Sequence, residues 1–149
     1  LSTPLDIATA LASLMTTRAF SPTPTTLAAV LLPALDVAAE SGLVISVVPV
    51  GITSETANAT RAMDRDEIEI HVGIQKKLVG EVGAELTEVN TLLGLVGDVK
   101  KFLSRLSPLA NVQWKSTEVS PLWLPEHLQK RVFTSVLRVN YVTYTAAGG

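Results

Sequence analysis

Two histidines and a run of carboxylates are the side chains in this sequence whose chemistry could be put to work. In Glu67-Ile68-Glu69-Ile70-His71-Val72 polar and apolar residues alternate, which places Glu67, Glu69 and His71 on one side of a strand. A carboxylate two positions from an imidazole favours its charged form and can ready it for acid–base work. The plain alternative is a solvated or interface-facing strand residue. Glu67 and Glu69 together have the composition of a paired-carboxylate site, yet glycoside hydrolysis needs a second acid across a cleft, and the sequence places none there. His127 follows Pro125-Glu126 and reads as the start of a short helical turn. The other histidine is far away in sequence and no third ligand offers itself, so no metal set forms around it.

The common catalytic signatures do not occur: no Gly-rich phosphate loop, dinucleotide fingerprint, zinc-protease helix motif or nucleophile elbow. With no cysteine, thiol catalysis, disulfide frameworks and cysteine-held metals drop out together. The expectation is a protein with no catalytic residue, cofactor or metal, and what remains are contact residues. Glu69, His71, Gln75 and Lys77 share the polar side of the alternating segment. Thr53 to Asp66 is polar, lacks a sustained period and reads as a long loop from which Arg61 and Arg65 can reach carboxylates of a neighbouring chain. Leu122, Trp123 and Leu124, held between Pro121 and Pro125, either fold back on the core or dock on a partner, Trp being enriched at interface hot spots. Lys76 and Lys77 point to opposite sides of their strand, and Lys100 and Lys101 match the negative end of a helix, so neither pair is a patch.

These residues need a frame. Ser2 or Thr3 can cap a helix that starts at Pro4 and runs to about Thr17, with Leu5, Ala8, Leu11, Ala12 and Met15 at helical spacing. Ser21-Pro22-Thr23-Pro24 breaks it. Leu27 to Leu32 reads as a short strand, Asp36 to Glu40 as a helical turn, and Leu43 to Val48 as a central strand ended by Pro49. The alternating segment through Leu78 requires an antiparallel neighbour. After a turn marked by Gly80 and Gly83, Leu86, Val89, Leu92, Leu93, Val96, Val99, Leu103 and Leu106 trace the apolar stripe of a second helix, Glu85 to Leu106. Gly94 and Gly97 cost that helix about 1 kcal/mol each relative to Ala, which close backbone packing on their side would offset. Asn111 to Glu118 and Arg131 to Tyr144 read as strands, and Ala146 to Gly149 as a frayed tail. The sum is one α+β domain over residues 1–149: a mixed, mainly antiparallel sheet of about four strands with two helices packed on one face.

Composition narrows the function classes. The 149 residues are 47% hydrophobic and 17% charged, which excludes disorder and a coiled coil. Twelve Lys and Arg against fourteen Asp and Glu give a net charge of -2, too balanced for the basic field that nucleic-acid or acidic-membrane binding requires. No stretch reaches the ~18 consecutive apolar residues of a membrane span, and no cationic leader precedes the first apolar run, so neither insertion nor export is signalled. Asn58-Ala59-Thr60 fits the glycosylation acceptor pattern, which recurs by chance. A mean hydropathy of +0.35 is high for a soluble monomer and points to apolar surface hidden between subunits.

A leading helix, a strand ending Val47-Val48-Pro49, a segment containing Arg61, the run Glu69-Ile70-His71-Val72-Gly73-Ile74-Gln75-Lys76-Lys77-Leu78, one amphipathic helix, then Pro125-Glu126-His127-Leu128 and Arg131-Val132-Phe133-Thr134-Ser135-Val136 follow one another along nearly the whole chain. This order resembles the small tail-terminator, or tail-completion, proteins of long-tailed bacteriophages. The resemblance implies a virion protein of the tail or neck, present in the host cytoplasm during assembly, and not an enzyme. It implies a homohexameric ring on the head-proximal end of the tail tube, which terminates tube growth and meets the head connector or neck proteins. Genomic DNA would pass through the lumen without sequence-specific binding, and no membrane is involved. A neck protein seated on the connector is the neighbouring alternative. A small cytoplasmic enzyme or ligand-binding domain using His71 and Glu69 is the alternative of another class.

Overall fold

A computed structural model describes residues 3–31, 42–56, 63–78, 85–119 and 122–146. The first helix, α1 (Pro4–Arg18), starts with a reciprocal cap: the Asp6 N–H donates to Thr3 Oγ1 at 3.1 Å and the Thr3 N–H donates to Asp6 Oδ2 at 3.0 Å. The backbone bond from Thr3, then the hydroxyl contact, hold the Asp6 carboxyl below its ordinary pKa. Ile7, Ala8, Leu11, Ala12 and Met15 are buried, whereas Leu5 in the first turn stays exposed. The helix stops at Ala19, which takes a left-handed φ of 59°.

The strands β1 (Thr26–Ala29), β2 (Leu43–Thr56), β3 (Met63–Lys77), β4 (Gln113–Val119) and β5 (Val132–Ala146) form one sheet in the order β1-β2-β3-β5-β4. β1 lies parallel to β2 and the other pairs are antiparallel. Gly42 opens β2 because any Cβ there would collide with the Thr25 side chain. The other helices among the described residues are α2 (Glu85–Leu103) and α3 (Pro125–Gln129). The domain is α+β as expected, with five strands and three helices among the described residues in place of about four and two. Each of the five strands overlaps a segment that reads as a strand, with β1 in place of Leu27–Leu32 as a parallel edge, and the third helix is the five-residue turn that carries His127.

Two expectations are corrected. β2 does not end at Pro49: Val50 is an extra residue at a bulge between Pro49 and Gly51, and pairing resumes to Thr56. β1 reaches only as far as Val47, so among the described residues Pro49 stands on an open edge, where a missing N–H is tolerated. Thr53 to Asp66 is correspondingly not one long loop, because Thr53–Thr56 pair with Asp64–Glu67 and β5 continues beside β3 as far as Met63. The result is a three-stranded arm that prolongs the sheet. The expected turn at Asp36–Glu40, Gly80, Gly83, Arg61 and the last three residues of the tail lie outside the described residues.

The core lies on one side of the sheet. Ile45, Val47, Ile68, Ile70, Val72, Ile74, Phe133, Leu137, Val139 and Tyr141 meet the buried sides of α1 and α2 there. Phe20, just past the end of α1, meets Phe102 of α2 edge to face with centroids 5.5 Å apart. α2 buries Leu92, Leu95, Val96, Val99 and Leu103. Leu86 was part of the expected stripe but is 85% exposed, since at 100° per residue it stands roughly 120° around the helix from the centre of that buried set. Gly94 and Gly97 face the opposite way, and a Cβ at either would meet nothing within 4 Å. The close packing expected on that side is absent from the described residues.

Candidate interaction surface

The sheet face away from α1 and α2 carries the polar residues of β3. Strand alternation brings Glu67, Glu69, His71, Gly73, Gln75 and Lys77 to this face, and the register sets Asn140 opposite Glu69, Arg138 opposite His71 and Thr134 opposite Gln75. His71 Nε2 lies 2.5 Å from Glu69 Oε2, so the pairing read from their spacing is formed. Glu67 accepts from Lys115 Nζ at 3.0 and 2.9 Å and lies 3.7 Å from Arg65 Nη1. Lys115 reaches it from β4 because a second bulge, between Trp114 and Ser116, turns it out of the regular register. The two carboxylates therefore each hold a cationic or imidazole partner, side by side on one strand rather than across a cleft. Among the described residues, no group of three or more His, Asp or Glu side chains is placed to share a metal ion.

The remaining candidates divide. Gln75 is only 3% exposed, so it is not a contact residue in the isolated chain; its Nε2 donates to Thr134 Oγ1 at 3.5 Å, the outer limit of such a bond. His127 Nδ1 lies 2.8 Å from the same Thr134 hydroxyl, which ties α3 to β5. Arg65 is engaged with Glu67 on its own chain instead of reaching outward. Lys77 is exposed at the end of β3. Leu122 is exposed, Trp123 packs against the core, and the Leu124 N–H donates to the Thr134 carbonyl at 3.0 Å as it leads into α3.

Trp123 and the end of β3 meet at a feature that periodicity did not disclose. A cleft of about 450 Å³ lies between the start of α2 and α3, walled by Leu78, Leu86, Val89, Trp123 and Leu128. Its rim carries an ion pair, Arg131 Nη1 to Glu85 Oε1 at 2.6 Å, and Lys76 Nζ meets Glu88 Oε2 at 2.7 Å nearby. A smaller cleft of about 260 Å³ beside Phe20, Pro24 and Leu27 has no titratable residue in its lining. A second exposed apolar group sits at the far end of the sheet, where Val50 at the bulge and Ile52 lead into the arm and Tyr144 stands on the face opposite Ile52; Leu5 and Leu31 are exposed elsewhere. Leu86, Val50 and Ile52 were missed because a pattern of apolar positions reports which side a residue takes, not whether anything covers that side. No helix among the described residues is long and apolar enough to cross a membrane. No protein-family model and no curated protein matches this chain.

Proposed function

We propose that this protein is a structural subunit of a phage virion, whose copies close as a hexameric ring on the head-proximal end of the tail tube, end its growth and present a surface to the head connector. The observation that carries this reading is the distribution of exposed apolar side chains: Val50 and Ile52 at one end of the sheet, Leu86 and Leu122 near the other. Two unlike patches on one chain make a heterologous contact, and heterologous contacts close into rings when the rotation between copies allows. The segment order supports the tail rather than another assembly. The net charge of -2 suits a lumen through which DNA slides, since a basic lumen would grip the phosphates. Self, tube protein and connector are the partners in this reading, and no bond is made or broken.

The His71–Glu69 pair favours a second reading, a small ligand-binding or enzymatic domain. One experiment weighs both. Tails assembled without this protein should have uncontrolled length and fail to join heads in electron micrographs, whereas His71→Ala should restore both properties as well as the wild type does. Normal length and joining without the protein overturns the tail reading, and failure of His71→Ala while rings still form moves the function to the pair. Decoration by a labelled antibody at the connector, away from the tube end, would make it a neck protein.

A further inference from the structure

We infer that the arm of one copy seats in the α2–α3 cleft of the next, with Ile52 entering between Leu86 and Trp123 and the carboxylates of Asp64 and Asp66 facing Lys77 and Lys130. The inference rests on the ring reading and names the contact that would build the ring. Ile52 is opposite Ile68 in the register, so it lies on the helix side of the sheet, yet it is 54% exposed. Asp64 and Asp66 occupy the same side of β3, and Asp66 Oδ1 accepts from Ser54 Oγ at 2.6 Å. Among the described residues neither carboxylate meets a cation. This surface is therefore apolar with uncompensated negative charge.

The cleft is its complement. Leu86 stands at the mouth over an apolar wall, and the Glu85 and Glu88 carboxylates are already held by Arg131 and Lys76. Lys77 precedes Leu78 of the lining and lies on the outer sheet face, the face on which His127 ties α3 to Thr134, and Lys130 precedes Arg131; both lysines are exposed and form no ion pair among the described residues. Glu126 on α3 is exposed too, which among the described residues leaves two ammonium groups against one carboxylate at this end. Opposite signs steer encounter and fix register, while the buried apolar anchor supplies affinity.

Geometry makes the contact intermolecular. Asp64 and Lys77 stand near opposite ends of β3, about 45 Å apart at the rise of an extended strand. β2 and β5 flank β3 along that length, so the arm cannot bend back to its own cleft. Each copy offers one arm and one cleft, and the contact propagates head to tail until it closes.

Sedimentation velocity on the full chain and two variants tests this. Ile52→Asp and Leu86→Asp change exposed positions and should each weaken self-association roughly 30-fold or more. An equal mixture of the two should form one-to-one dimers and nothing larger, because each variant keeps the half of the contact that the other lost. Asp64→Lys with Asp66→Lys should also weaken association, and a partner bearing Lys77→Glu with Lys130→Glu should restore it. Far-UV melting checks that each variant folds. The inference is overturned if either apolar variant assembles like the wild type, if the mixture stays monomeric, or if the wild type is monomeric up to about 1 mM, the range of the weakest specific contacts. Rings that persist in both variants would remove the arm–cleft contact and leave the ring reading standing. Tails of normal length without the protein would remove that reading whatever the variants do.

Discussion

Ile52 and Ile68 face each other across β2 and β3, on the same side of the sheet, yet one is 54% exposed and the other 1%. The edge of the hydrophobic core crosses the sheet obliquely, falling short of Ile52 on β2, which has no further strand beside it there among the described residues, and passing beyond Ile68 on β3. On one side of that edge, β2, β3 and β5 lie under α1 and α2, and the ladder is reinforced by burial. On the other, the same strands continue as an arm with the same pairing and no helix over it among the described residues. The contrast teaches that backbone pairing carries a strand beyond its core, whereas burial decides what its side chains contribute. It also separates two uses of one element, since β3 holds the domain together at its covered half and offers contact groups at its free half.

The largest test of the contrast replaces matched isoleucines. Ile70→Ala, under the helices, should cost about 2–5 kcal/mol by urea unfolding, and Ile52→Ala, on the arm, should stay within about 0.5 kcal/mol. Equal costs would show that the arm is covered in solution and would erase the distinction. A smaller effect concerns Tyr141, which is wholly buried opposite Ile68 with its hydroxyl lacking a hydrogen-bond partner among the described residues. Burial holds its pKa well above the ordinary tyrosine value of 10.0, so the folded chain keeps a proton that the unfolded chain releases. The stability tied to it is complete below pH 10 and falls as the pH rises beyond that, by up to about 1.4 kcal/mol per pH unit. Unfolding followed from pH 9 to 11 should show that slope in the wild type and lose it in Tyr141→Phe; an unchanged slope would mean that water reaches this end of the core. The smallest effect lies on the outer side of α2. Gly94→Ala and Gly97→Ala should each raise stability by about 1 kcal/mol in thermal melts, because the added methyl groups meet open space. A loss in the isolated chain would place a close neighbour on that surface.

Much of the frame was legible in the sequence because local rules act through a few bonds. Thr3, Pro4 and Asp6 announce the start of α1, and the strict alternation from Glu67 to Leu78 marks β3 and its polar side. The Glu69–His71 pair follows directly from a period of two. Other features needed contacts distant in sequence. Thr53–Thr56 carries no apolar period, and it is a strand because β3 supplies its ladder. Arg65 looked like the contact group of a long loop until pairing with Thr53–Thr56 made it a strand residue, on one face with Glu67, which Lys115 of β4 also reaches. Gln75 belongs to the same alternating row as His71, but the surrounding sheet buries it against Thr134.

By itself, then, the sequence determined where the helices begin, which side of β3 is polar, and that the domain is α+β. Those properties depend on hydrogen bonds and side-chain directions within a few residues. The tertiary structure alone decided where the core ends along β3, which apolar residues are left in the open, and that Leu78, Leu86 and Trp123 wall one cleft. Burial depends on what other segments bring against a residue, and no local pattern contains that.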